Sequence, residues 1–174
     1  MFIFRILASK SITKLHRNTE FKNMYTYPDK AGKYFWLYGS WESWNIQIIK
    51  KHFFTVPSDG VFLDIGANLG CYTVNLADTF NRVISFEPAP IAWKILAANI
   101  QSNELSNCQL IKKGVGSENK YTNLNIIPNN SGLSSIDNNI VGGIATPIEI
   151  VRLDDTIDPK DNIRLIKIDV EGYE

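Results

Sequence analysis

Cysteine and histidine are scarce, with two of each in 174 residues. Cys71 and Cys108 are too few for a disulfide framework and have no CxxC or Cys/His spacing for zinc. A reducing compartment, and with it a cytoplasmic location, is the expectation. His16 and His52 stand alone, so no metal site is expected. Net charge is absent too: 18 Lys+Arg balance 18 Asp+Glu, which argues against a dedicated nucleic-acid binder. No window holds the ~18 consecutive apolar residues of a transmembrane helix, so no integral membrane segment is expected. Residues 1–17 run apolar then basic, the reverse of a signal peptide, and read as a loosely packed terminus or an amphipathic surface helix. There is no internal repeat.

What is present is a core. The chain is 44% hydrophobic, 11% aromatic and 21% charged, enough for one packed domain and unlike a disordered tail. The zero charge hides an asymmetry: residues 1–60 carry nine basic and four acidic side chains, residues 61–174 nine and fourteen. Residues 1–56 have weak periodicity and read as an N-terminal cap, with an aromatic stretch from Tyr34 to Trp44. A helix is predicted over Glu42–His52, with Trp44, Ile48 and Ile49 as its apolar positions. From residue 57 the pattern changes. Val61–Ile65, Arg82–Phe86, Cys108–Lys112 and Arg164–Val170 read as strands, with helices predicted over Cys71–Phe80 and from Pro90 to Asn103. This alternation predicts βαβ units in an α/β, doubly wound parallel sheet. Tyr121–Ile127 and Pro147–Val151 read as a pair of antiparallel strands inserted into it, joined by an Asn/Ser/Gly-rich loop.

Three groups of residues carry chemistry. The first is the turn Asp64-Ile65-Gly66-Ala67-Asn68-Leu69-Gly70, between a strand and a helix. Gly and Asn tolerate positive φ, and the helix that follows presents unsatisfied N–H groups. The spacing is GxxxG rather than GxGxxG, so the dinucleotide fingerprint fails at its middle glycine. Asp64 would repel a pyrophosphate and could receive an ammonium group. A ligand carrying both a cation and a carboxylate fits this turn better than NAD does. The second is Glu87, 21 residues after Gly66 at the end of a strand, where nucleotide-binding α/β folds place an acid against ribose hydroxyls. Pro88 and Pro90 stiffen the backbone around it. The third is Lys167-Ile168-Asp169-Val170-Glu171. Alternation puts Lys167, Asp169 and Glu171 on one side of the strand, with both acids at its carboxyl end. Lys167 beside a carboxylate is equally a structural ion pair.

VFLDIGANLGCYT, VISFEPAP, the Asn99/Asn103 spacing, VRLDDTI and LIKIDVEGYE, in this order, resemble the FkbM family of S-adenosylmethionine-dependent methyltransferases. The resemblance covers about residues 37–174, including YGSWE (Tyr38 to Glu42). It implies a Rossmann-like class I methyltransferase fold with S-adenosyl-L-methionine as cofactor, and O-methylation of a sugar, polyketide or other small-molecule acceptor. It further implies that the amino-acid end of the cofactor meets Asp64 and the turn Gly66, Ala67, Asn68 and Gly70. The ribose would meet Glu87 beside Pro88, and the adenine would lie near Gly114, Val115 and Gly116. The acceptor would lie near Asp169, the expected catalytic base, with Glu171 second.

The family's sheet has seven strands, and only the first four are legible before Glu174. A C-terminally incomplete sheet is therefore expected, with a non-catalytic fragment or a nucleotide- or NAD-binding module as the alternatives. No motif specifies the acceptor or the oligomeric state.

Overall fold

The computed structural model describes residues 14–16, 21–27, 40–54, 59–127 and 143–170. Within them, the apolar runs Val61–Ile65 (β3) and Arg82–Phe86 (β4) form the centre of a parallel sheet, and all five residues of β3 are buried. Cys108–Ile111 (β5) pairs with β4, and Ile163–Ile168 (β9) pairs with β3, giving the order β5-β4-β3-β9. The chain moves outward from β3 through β4 to β5, then returns to lay β9 on the other side of β3. The switch point thus falls between β3 and β9, where open α/β sheets form their ligand crevice at the carboxyl ends of the strands.

Alternation along β3 divides the core in two. Phe62 joins Val83 of β4 and meets Val74 and Leu76 of the helix Cys71–Leu76 (α2) and Ile95 of the helix Pro90–Ser102 (α3). Val61, Leu63 and Ile65 face the other way with Ile84 and Phe86, covered by Val115, Val151, Leu153 and Ile157. The predicted helix Cys71–Phe80 is divided: its end is a 3-10 turn, Ala77–Thr79. Pro90 opens α3 as expected, in the first turn where its missing N–H costs nothing.

The strands Lys120–Ile126 (β7) and Ile144–Val151 (β8) are antiparallel, as predicted, but β8 begins three residues earlier than Pro147. They belong to a separate sheet that also takes Gly114–Val115 (β6) parallel to β8. The start of α3 packs on this sheet, through Ala89 and Ala92 against Leu124, Ile148 and Ile150.

Described residues of the N-terminal third share the main core. Met24 of the strand Met24–Thr26 (β2, paired with β1, Lys14–His16) is buried with Phe21 and with Ile46 of the helix Ser43–Phe54 (α1). The inward stripe of α1 is Ile46, Ile49 and Phe53, whereas Trp44 is 70% and Ile48 46% exposed. The predicted stripe of Trp44, Ile48 and Ile49 is thus corrected. Both stripes obey helical spacing, and contact with α2 selects the one carrying Ile46. The aromatic residues 34–39 lie outside the described residues.

Asn99 and Asn103, noted above only for their spacing, fasten β2 to α3. Asn99 is fully buried; its Oδ1 accepts from Tyr25 N (2.6 Å), and its Nδ2 donates to Leu69 O (2.8 Å) and Tyr25 O (3.1 Å). One turn later, Asn103 Nδ2 donates to Asn23 O at 2.7 Å.

Candidate active site

The turn after β3 is held at both ends. Gly66 N and Ala67 N both donate to Phe86 O at 3.0 Å, tying the turn to the end of β4. Asp169 N donates to Ile65 O at 3.1 Å, tying the end of β9 to β3. Positive φ occurs at Gly66 (73°), Asn68 (51°) and Gly70 (85°). A Cβ on Gly66 would lie 2.0 Å from Asp169 O, and one on Gly70 2.2 Å from Leu96 Cδ1. The two glycines therefore satisfy both a left-handed backbone and close packing, against β9 in one case and α3 in the other.

Glu87 follows β4 and is buried. Its Oε2 accepts from Asn68 N and its Oε1 from Ala89 N, each at 2.8 Å. The acid thereby joins the turn to the segment that starts α3. Burial pushes its carboxyl up to about 7, against the pull of the two amide bonds and of Lys167. Each oxygen retains a lone pair for a ligand hydroxyl. Pro88 lies against Gly114, and Val115 packs on the cluster around Ile65 and Phe86.

Asp64 is also buried, on the face of β3 that meets α2. Its Oδ2 accepts from Thr73 N (3.0 Å) and Thr73 Oγ1 (2.6 Å). Since the Thr73 hydroxyl donates to Asp64, the Ser85 hydroxyl donates to Thr73 Oγ1 (2.7 Å), closing the network. Asp64 Oδ1 has no hydrogen bond, nor does the buried Asn68 Oδ1. The ammonium of Lys167 lies 3.5 Å from Asp64 Oδ1, donates to Gly66 O at 2.9 Å, and lies 3.5 Å from Asp169 Oδ2. Lys167 and Asp169 thus share one side of the chain, with the Asp169 side chain 59% exposed. Glu171 lies outside the described residues.

Sequence reasoning assigned no role to the residues flanking this centre. Ser40 Oγ and Cys71 Sγ are 3.1 Å apart, Cys71 Sγ donates to Trp41 O (3.3 Å), and the Tyr72 hydroxyl donates to Glu42. These bonds latch residues 40–42 onto the first turn of α2. Burial pushes the Cys71 thiol up to about 11, so it acts as packing rather than as a nucleophile. Burial, with the bond to Glu42 adding, raises the Tyr72 phenol as well. The signal was the match of YGSWE, which carried no chemistry until Glu42 and Tyr72 were brought together.

Asp64 Oδ1 and Asn68 Oδ1 lack hydrogen-bond donors, and the two Glu87 oxygens, each holding one backbone donor, can accept a second. An ammonium and ribose hydroxyls supply donors; a pyrophosphate supplies none. This set of acceptors therefore fits the amino-acid and ribose portions of an S-adenosyl cofactor. Among the described residues, no group of three or more His, Cys, Asp or Glu could hold a metal ion, and no helix is long and apolar enough to cross a membrane.

Comparison with known proteins identifies the family. Residues 64–174 match the model of the FkbM methyltransferase domain. Among curated proteins, the chain is 26% identical over 170 residues to "Methyltransferase sdnD" of Sordaria araneosa, covering 74% of this chain and 66% of that protein. It is 25% identical over 141 residues to "Methyltransferase 1" of Beauveria bassiana, covering 68% and 57%. The chain thus spans less than two thirds of the length of these relatives. Among solved structures, M. jannaschii TYW2 in complex with AdoMet aligns over 82% of this chain and 86% of its own, at 14% identity and TM-score 0.41. An rRNA methylase from Streptococcus thermophilus aligns over 40% and 42%, at 21% identity and TM-score 0.36.

Proposed function

The chain belongs to the FkbM methyltransferase family, and on that premise we propose that it binds S-adenosylmethionine at the carboxyl ends of β3, β4 and β9 and transfers the methyl group to an oxygen of a small-molecule acceptor. The observation that carries this reading is the joint placement of Glu87 and the Gly66–Gly70 turn at the carboxyl ends of β4 and β3, linked by the bond from Asn68 N to Glu87. S-adenosylmethionine, when bound, supplies an electrophilic sulfonium methyl group.

The chain's own residues bind and orient. Glu87 accepts from the ribose hydroxyls while its two backbone bonds hold it in place. Pro88 and Val115 border the adenine. Asp64, Ala67 and Asn68, in the turn framed by Gly66 and Gly70, hold the amino-acid end. Asp169, half exposed beside Lys167, takes the proton of the acceptor hydroxyl, with Glu171 as the second carboxylate. Holding donor and acceptor aligned at about 3–3.5 Å lowers the barrier by several kcal/mol, and removal of the acceptor proton adds roughly 10²–10⁴-fold.

Calorimetry on the 174-residue chain tests the cofactor. S-adenosylhomocysteine is expected to bind at one site and NAD not to bind. Binding of NAD without the homocysteine product would replace this reading with a dinucleotide module. Incubation of candidate sugar and polyketide acceptors with methyl-labelled cofactor then identifies the acceptor.

A further inference from the structure

The atoms around the Lys167 ammonium form a seat for a ligand's primary ammonium. They comprise the Gly66 carbonyl, the buried Asp64 Oδ1, and the face of Tyr72, whose ring centroid is 5.5 Å away. Lys167 fills this seat incompletely. It makes one hydrogen bond there, to Gly66 O, and stays 3.5 Å from both carboxylates, beyond the 2.7–3.2 Å of a good N–H···O bond. Asp64 Oδ1 is thus buried beside a cation yet lacks a hydrogen bond, a costly arrangement that a better-placed donor would relieve.

We propose that Lys167 is a placeholder in the seat of the cofactor's ammonium, and that binding turns its side chain outward to Asp169. This rests on the reading that the turn takes the amino-acid end of an S-adenosyl cofactor. Two ammonium groups cannot share the seat, because like charges a few ångströms apart repel strongly where water is excluded. Lys167 has a destination, since Asp169 Oδ2 already lies 3.5 Å from its ammonium and is largely exposed. The displaced cation stays paired with Asp169, so Lys167 is a positioning residue for the cofactor. Its cost is affinity: if the seat is open in about one molecule in ten, the apparent dissociation constant is raised about tenfold.

The test compares two probes, S-adenosylhomocysteine, which has the amino-acid end, and 5′-methylthioadenosine, which lacks it. By calorimetry, Lys167→Met is expected to tighten S-adenosylhomocysteine about tenfold and leave methylthioadenosine unchanged. Unchanged or weaker binding of S-adenosylhomocysteine by the folded variant would overturn the proposal. Because Lys167→Met removes the countercharge of buried Asp64 and so endangers folding, the wild type supplies a second readout. The rate of reductive methylation at Lys167, followed by peptide mass spectrometry, is expected to rise when S-adenosylhomocysteine binds and to be unaffected by methylthioadenosine. A fall on binding would mean that the ligand merely covers the lysine, and would overturn the proposal. Failure of S-adenosylhomocysteine to bind the wild type would instead overturn the cofactor reading itself.

Discussion

Glu87 is held in the folded chain at about 7 rather than its ordinary 4.5. Between those values the folded chain keeps a proton that the unfolded chain has released, so stability falls as pH rises through this window and levels off above about 7. The full effect is roughly 3 kcal/mol. Only the ionised carboxyl offers both oxygens as acceptors, so affinity for S-adenosylhomocysteine is expected to rise from pH 6 to pH 8 and flatten above. Titration calorimetry across that range checks this; Glu87→Gln should bind more weakly and lose most of the slope. At Asp169 the expected effect is on turnover instead. At saturating cofactor, Asp169→Asn should lower the methyl-transfer rate ~10²–10⁴-fold, and an unchanged rate would remove Asp169 as the base. The spacing of Glu87 from the glycine turn made it a candidate, but its two amide donors, Asn68 and Ala89, required the fold. Pairing of Lys167 with a carboxylate was legible, but its pairing with Asp64 was not, because strand pairing of β3 with β9 brings the two together across about a hundred residues.

The glycine turn works as an element because neighbouring elements clamp it. Gly70→Ala is expected to destabilise the chain by about 2–4 kcal/mol, since alanine meets both the left-handed backbone and Leu96 of α3; urea unfolding measures the loss. Asn99→Ala removes the partners of Tyr25 N, Tyr25 O and Leu69 O together. A loss of roughly 2–4 kcal/mol is expected, with faster amide exchange over residues 21–27 as its local signature. Elements defined by short apolar runs were legible to the residue, as β3 and β4 show, because burial on both faces leaves a dense hydrophobic signal, interrupted inside these strands only by Asp64 and Ser85. The hairpin β1–β2 was not legible: three-residue strands carry no periodicity, and the Asn side chains that fix β2 come from a helix some 75 positions later.

At the scale of the whole molecule, a weakly patterned, basic first third and a strongly patterned, acidic remainder share one hydrophobic cluster, in which Met24 and Ile46 meet Phe62 and Ile95. The parallel order β5-β4-β3-β9 reproduces the four strands expected from the sequence, with the switch point between β3 and β9. On β9, Ile166 and Ile168 are 47% and 54% exposed on the face away from Lys167. The second sheet escaped the sequence reading in part because β6 is only two residues long. On the function proposed above, the carboxyl ends of β3, β4 and β9 are built for the amino-acid and ribose ends of S-adenosylmethionine. Calorimetric titration of the chain with S-adenosylhomocysteine, with NAD in parallel, tests it most directly. One site for S-adenosylhomocysteine and no heat from NAD is the predicted result; NAD binding with no S-adenosylhomocysteine binding would contradict it.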